Sequence, residues 1–172
     1  MIVYRPASFN DAQALAELGR TSFVEAFGHL YSADNLNRFL EQGYSLSALE
    51  RDLASSKRLF RIAERGGQMV GYCKLGFDVT LDHDSKGRRV MELKQLYLRA
   101  SETGGGIGAQ LMAWALDVAQ EREFDDVILS VWSENFGAQR FYERFGFKKI
   151  ADTIFMVGDH VDEEYLMGLQ LR

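Results

Sequence analysis

Apolar residues recur at two different periods along this chain, and the change from one to the other divides it. After a weakly alternating stretch over residues 1–5 that reads as a short strand, Leu15, Leu18 and Phe23 fall at helical spacing behind Asn10-Asp11, which offers an N-cap. Ser32 or Asp34 caps a second helix carrying Leu36, Phe39 and Leu40, and residues 46–54 read as a third. Beyond them the period drops to two. Residues 58–63 and 69–77 read as strands joined through Arg65-Gly66-Gly67, a hairpin turn signal. Residues 82–87 are polar and read as a loop, and residues 90–98 are strand-like again. Gly104-Gly105-Gly106 ends that strand region, and Ile107, Leu111, Trp114, Ala115 and Val118 restore helical spacing over residues 107–119. Residues 127–132 are a buried-strand run. Residues 135–145 form a short helix stopped by Gly146, and strands over 148–156 and 164–171 flank a turn at Gly158-Asp159. The order is mixed α and β: an antiparallel hairpin region, a central βαβα unit and a closing hairpin. No period repeats and no low-complexity linker divides the chain, so the expectation is one domain over residues 1–172.

Composition adds exclusions. Apolar residues make up 47% and charged residues 26%, an ordinary globular balance. No apolar run reaches the ~20 residues of a membrane span, and the start, Met1-Ile2-Val3-Tyr4-Arg5-Pro6, lacks the layout of a signal peptide, so the expectation is a cytoplasmic protein away from membranes. A net charge of −5 speaks against nucleic-acid binding, which draws on a basic surface. Cys73, the only cysteine, lies in a strand pattern and reads as a small core residue rather than a nucleophile. Three scattered histidines and one cysteine give no metal-ligand spacing, and no metal is expected.

The stretch that carries chemistry is the strand Leu96-Tyr97-Leu98 followed by Thr103-Gly104-Gly105-Gly106-Ile107-Gly108-Ala109 at the mouth of a helix. The first turn of a helix leaves backbone N–H groups without internal partners, and glycines let a ligand approach them closely. That makes a socket for an anion such as a phosphate. Each N–H bond to a charged oxygen contributes ~1.5–3 kcal/mol. A nucleoside-triphosphate loop would end in Gly-Lys-Ser/Thr, whereas this one reads Gly108-Ala109-Gln110. The dinucleotide pattern is nominally present as Gly104-x-Gly106-x-x-Ala109. Its ribose-binding acid should end the following strand, however, and Asp125 and Asp126 precede that strand instead. A glycine turn with no ligand is the bland alternative, set against the entropic cost of three consecutive glycines.

These residues resemble the GCN5-related N-acetyltransferase (GNAT) superfamily, whose donor motif is Gln/Arg-x-x-Gly-x-Gly/Ala after a strand of the form Leu-Tyr-Val. Leu96-Tyr97-Leu98 matches the strand and Gly106-Ile107-Gly108 the Gly-x-Gly, while Thr103 stands where the family has Arg or Gln and offers a hydroxyl instead. Asn135-Phe136-Gly137-Ala138-Gln139-Arg140-Phe141-Tyr142, continued to Gly146-Phe147, looks like a second family signature, Asn-x-x-Ala-x-x-Phe-Tyr-x-x-x-Gly-Phe. The resemblance implies a mixed α/β fold: a mostly antiparallel twisted sheet with flanking helices, whose fourth and fifth strands splay apart to admit acetyl-CoA. A weaker resemblance, over Thr21 to Leu40, is to a branch that acetylates polyamines such as spermidine.

The same resemblance assigns roles. The main-chain amides of Gly104 to Ala109 would grip the diphosphate, the backbone of Leu96 and Leu98 would pair with the pantetheine arm as an added strand, and Asn135 would contact the arm. Tyr142 would protonate the departing thiolate, whose pKa is near ~8.5. Glu92 matches the family's base position, acting through water, and reads equally as a solvated strand glutamate. A base matters because an amine of pKa ~10.4 costs roughly 4.6 kcal/mol to deprotonate at pH 7. Phe27, His29 and Tyr31 are nominated for the acceptor pocket. Asp159, Asp162, Glu163 and Glu164 form an acidic cluster near the last turn that could attract a polycation, though a solvated turn is the simpler reading. The expected function is acetyl transfer to a small-molecule amine in a ternary complex. The alternative is a coenzyme A-binding regulatory module without catalysis, and a homodimer is left open.

Overall fold

The computed structural model describes residues 1–172. The elements follow the order β1 (Ile2–Pro6), α1 (Ala12–Phe27), α2 (Ala33–Tyr44), α3 (Leu46–Ala54), β2 (Arg58–Arg65), β3 (Gln68–Gly76), β4 (Val90–Leu98), α4 (Ile107–Glu121), β5 (Asp126–Trp132), α5 (Phe136–Arg144), β6 (Lys148–Val157) and β7 (His160–Gln170). The strands form one seven-stranded sheet in the order β1-β2-β3-β4-β5-β7-β6. Every neighbouring pair is antiparallel except β4 with β5. That exception follows from the crossover through α4, since parallel strands cannot be joined by a tight turn.

Each face of the sheet is covered by helices whose apolar stripes match it. In α1 the buried residues are Ala12, Leu15, Ala16, Leu18, Gly19 and Phe23, one face at helical spacing. With α3, its Ala12, Leu15, Ala16 and Leu18 pack on Phe60, Ile62 and Tyr72, while Phe23 packs on Leu40, Tyr44 and Val157. On the other face Ile107, Leu111, Met112 and Ala115 of α4 pack on Leu75, Met91, Leu93 and Leu129. Burying each such side chain stabilises the fold by ~1.5–3 kcal/mol. Cys73 is fully buried within this core, as its strand pattern implies. Ser32 caps α2 by accepting from the Asn35 amide at 3.2 Å, and Ser45 caps α3 by accepting from Ala48 at 3.2 Å.

Asp11 stands at the N-cap of the first helix, within the expected Asn10-Asp11 pair, but its side chain does not cap that helix. Phe9–Asp11 form a short 3-10 turn, and the Asp11 carboxylate accepts from the Ser8 amide at 2.6 Å and from both ends of the Arg5 guanidinium at 2.8 Å. The Arg5 pair is the main reason that the Asp11 carboxyl is held down at about 2, against the opposing effect of burial. Asp11→Asn is expected to lower stability by about 2 kcal/mol at pH 7, discounted for the partial exposure of Arg5. A carboxyl depressed in the folded state contributes fully above its unfolded pKa of ~3.9 and loses that contribution as pH falls further. The gap between wild type and variant, read from urea unfolding, should therefore narrow between pH ~4 and the folded value.

Candidate active site in the cleft between two parallel strands

Strands β4 and β5 stay together for only three register pairs, Val90 with Asp126, Met91 with Val127 and Glu92 with Ile128. Beyond Glu92 they part. β4 remains bound to β3 as far as Leu98, with a bulge in which Lys94 has no opposing residue between the Lys74–Gln95 and Leu75–Leu93 pairs. β5 remains bound to β7 as far as Trp132. A bulge bends and twists its strand, and this one falls just where the pairing with β5 stops. The splayed central strands expected from the sequence are thus present. They enclose a cavity of about 1050 Å³, at the upper end of the ~300–1000 Å³ usual for small-molecule sites.

At one end of the cavity lies the glycine turn. Gly106 is the N-cap of α4 and is left-handed, with φ 85°, a conformation costly for any residue with a Cβ. The first backbone bond of the helix runs from the Gln110 amide to the Gly106 carbonyl at 3.1 Å. The amides ahead of it at Ile107, Gly108 and Ala109 have no such acceptor, as at any helix start. Gly104, Gly106, Gly108 and Ala109 line the cavity, so this end can receive an anion. Gly105 and Ile107 do not line it, and the Ile107 side chain is buried in the core beneath. Thr103 lines the cavity too, but its hydroxyl proton goes to the Ala100 carbonyl at 2.9 Å, closing the preceding 3-10 turn. The hydroxyl expected to replace the family's Arg or Gln as a donor is already used within the protein.

The cavity wall next carries Leu96, Tyr97 and Leu98 of β4 and Asn135, Phe141 and Tyr142 of α5. Tyr97 bonds through its hydroxyl to Tyr44 at 2.8 Å, and burial pushes its phenol up to about 12. The Leu98 carbonyl accepts weakly from the Ser22 hydroxyl at 3.4 Å. Asn135 caps α5, its side-chain oxygen accepting from the Ala138 amide at 3.2 Å, which leaves its amide N–H groups as donors. Burial is the first cause raising the Tyr142 phenol above its ordinary pKa, and no hydrogen bond contributes.

Glu92 is not a solvated strand residue. It is 4% exposed and accepts from the Thr80 amide at 3.0 Å, the Thr80 hydroxyl at 3.0 Å, the Leu81 amide at 3.2 Å and the Lys94 ammonium at 2.7 Å. Those donors meet roughly the four lone-pair sites of a carboxylate. The residue ties the segment after β3 to the last paired position of β4.

The opposite wall comes from α1, the turn after it and β7. Phe27 and Tyr31 line it, with Phe23 stacked on Tyr31 at 5.9 Å and Phe27 edge-on to Trp132 at 6.0 Å. His29 is exposed on the short 3-10 turn Gly28–Leu30 and lies outside the cavity, which corrects its nomination for the acceptor pocket. The acidic cluster is also placed differently. β7 starts at His160, so Asp162 and Glu164 belong to an internal strand, alternate on one face, and line the cavity. Asp162 is buried, accepts from the Tyr31 hydroxyl and pairs with His160 at 3.1 Å. Glu164 accepts from the Ser130 hydroxyl, and burial, the largest influence on it, pushes its carboxyl up to about 7.

Residues 15–147 match the acetyltransferase (GNAT) family. The chain belongs to the GNAT acetyltransferase family. An uncharacterized N-acetyltransferase of Mycobacterium tuberculosis is 30% identical over 163 residues, 94% of this chain and 98% of that one. An uncharacterized N-acetyltransferase of Lactobacillus delbrueckii subsp. lactis is 27% identical over 164 residues, 93% of this chain and 92% of that one. Among solved structures, the PaiA N-acetyltransferase of Thermoplasma acidophilum in complex with coenzyme A superposes with a TM-score of 0.80 at 24% identity, over 99% of each chain. YncA of Salmonella typhimurium, with its cofactor acetyl-CoA, gives 0.72 at 20% identity over 100% of this chain and 95% of that one.

In this GNAT chain the donor-side residues named from motifs sit along one cavity, apart from Gly105 and Ile107, whose place is in the turn and the core. Of the residues nominated for the acceptor, two line the same cavity. These are Phe27 and Tyr31, whereas Trp132, Asp162 and Glu164, which line it too, carry no motif and enter through strand pairing. The alternation of Asp162, Glu164 and Leu166 was the available signal. No helix is long and apolar enough to cross a membrane, and no group of three or more metal-ligating side chains comes together.

Proposed function

We propose that this enzyme moves the acetyl group of acetyl-CoA onto a primary amine of a small cationic molecule by direct attack in a ternary complex. A polyamine is the acceptor class that the first-helix resemblance implies. The observation that carries the reading is the continuity of one cavity from the glycine turn, past Tyr142, to a wall of aromatic rings and carboxylates. The amides of Gly106 to Ala109 take the diphosphate. The open edge of β4 at Leu96 to Leu98 pairs with the pantetheine arm, Asn135 donates to it, and Tyr142 lies at the thioester. Aromatic faces and buried carboxylates together favour a desolvated ammonium. Direct attack is supported by the state of the only thiol: Cys73 lies in the core, and burial pushes its pKa well up, so it offers no thiolate to carry the acetyl group.

The test is thiol release from acetyl-CoA against spermidine, other polyamines, aminoglycosides, amino acids and peptide N-termini. Turnover is expected on the polycationic amines, with initial-velocity lines that intersect. Parallel lines would replace direct attack by an acyl-enzyme. Tight acetyl-CoA binding with no turnover on any amine would leave a coenzyme A-binding module in place of an enzyme.

A further inference from the structure

Three carboxylates line the cleft, Glu92 on β4 and Asp162 and Glu164 on β7, and their surroundings differ in kind: Asp162 is engaged by the Tyr31 hydroxyl and by His160. Glu92 is held by four protein donors, one of them the Lys94 ammonium. Glu164 is half-buried, receives one neutral hydroxyl bond from Ser130 and has no protein cation paired with it. A buried carboxylate without a cation is costly unless a ligand supplies one. Glu164 lies opposite Trp132 in the β5–β7 ladder and shares the cavity with Tyr142 and Tyr31. Given the amine-transfer reading above, on which this rests, we propose that Glu164, not Glu92, receives the proton that the acceptor ammonium loses before it attacks.

The step balances as follows. The ammonium gives one proton to the Glu164 carboxylate and becomes a neutral amine. Its lone pair forms the C–N bond at the thioester carbonyl carbon, and the π pair moves to oxygen. When the carbonyl re-forms, the C–S bond breaks and sulfur leaves with the pair, taking the Tyr142 proton. The surplus proton on nitrogen restores Tyr142, and Glu164 releases its own to solvent. The net products are the acetamide, the free thiol and one proton. A carboxyl at about 7 narrows the mismatch with an amine of pKa ~10.4 from roughly a millionfold, for an ordinary glutamate near ~4.3, to roughly a few thousandfold. The titratable groups around it are Asp162 on its own strand, Tyr97 on β4, Tyr142 on α5 and Tyr31 before α2, while β6 presents Thr153. Asp162 raises the Glu164 pKa, and the three phenols are themselves shifted upward. His160, on the same strand, pairs with Asp162 at 3.1 Å outside the cavity, so among the groups that line the cavity Glu164 is the one expected to titrate near neutrality.

The experiment is kcat/KM against pH for wild type, Glu164→Gln and Glu92→Gln, with acetyl-CoA and spermidine, or with the best amine of the panel if spermidine is not turned over. Wild type should rise through pH about 7 to a plateau. Glu164→Gln should lose ~10²-fold at pH 7.5, and its rate should climb without a plateau toward the amine's own pKa near ~10.4. Its acetyl-CoA affinity should not change. Glu92→Gln should keep the wild-type profile shape whatever it loses in stability. If Glu164→Gln does not fold, Glu164→Ala with added formate replaces it, and formate should restore the rate. A wild-type plateau in Glu164→Gln, or its loss in Glu92→Gln, overturns the assignment. Silence of wild type on every amine removes the amine-transfer reading itself, and this role with it.

Discussion

Gly106→Val is expected to weaken acetyl-CoA binding by at least ~10²-fold while leaving the protein folded. The argument starts from the backbone. Gly106 has φ 85° and ψ −1°, and a Cβ placed there would meet no protein atom within 4 Å. The fold therefore has room for the side chain but not for its backbone conformation, which costs a non-glycine residue ~1–2 kcal/mol and a β-branched one more. Relief of that strain would turn the peptide units that begin α4. Gly106 itself lines the cavity, so a change in its backbone falls where the diphosphate is proposed to bind. Losing two N–H bonds to charged oxygens, at ~1.5–3 kcal/mol each, accounts for a drop of this size. Calorimetry with coenzyme A reads the affinity and thermal unfolding reads the fold. Unchanged affinity in a folded variant would show that the diphosphate does not rest on these amides.

How much of this site could be read from the chain depended on where its signals were local. The glycine turn is local: strand, turn and helix lie within about twenty residues, and the physics of an open helix start acts through those residues alone. Asn135 and Tyr142 are local in the same sense, eight positions of one capped helix. The splay between β4 and β5 was available only through resemblance. Its causes are a bulge at Lys94 and the separate allegiance of β5 to β7, a strand whose pairing residues lie 32 to 44 positions further on, from Trp132 with Glu164 to Asp126 with Gln170. Glu164 was hidden for the same reason. It stands at the first position of the expected strand over 164–171, and beside Asp159, Asp162 and Glu163 it also reads as part of a solvated turn. Only the pairing of Trp132 with Glu164 and of Thr153 with Glu164 makes it an internal strand residue facing a cavity. Glu92 shows the converse: its strand position was legible, but all its donors except Lys94 come from residues 80 and 81, in a segment with no periodic signal.

Tyr142→Phe is expected to lower kcat by ~10²–10³ while acetyl-CoA affinity stays within about twofold, the pattern left when an interaction made only in the transition state is removed. The substitution deletes one hydroxyl from a ring packed against Phe141 and Phe147, so the shape of the wall is retained. Burial raises the phenol's pKa, and the nearby acidic groups, Glu164 among them, raise it further. The sign matters. A raised pKa keeps the proton on oxygen throughout the working range, so the group is always ready to donate and adds no falling limb to the pH profile below ~10. It also places an unpaired hydroxyl in a low-dielectric wall, where a developing thiolate is a better partner than anything the protein provides. A thiol of pKa ~8.5 leaves tolerably without help, which is why the expected loss is not larger. Replacing the thioester by an oxygen ester of coenzyme A, whose leaving alkoxide is far more basic, should enlarge the difference between wild type and Tyr142→Phe. Equal losses on both donors would mean that the hydroxyl orders the wall and gives no proton.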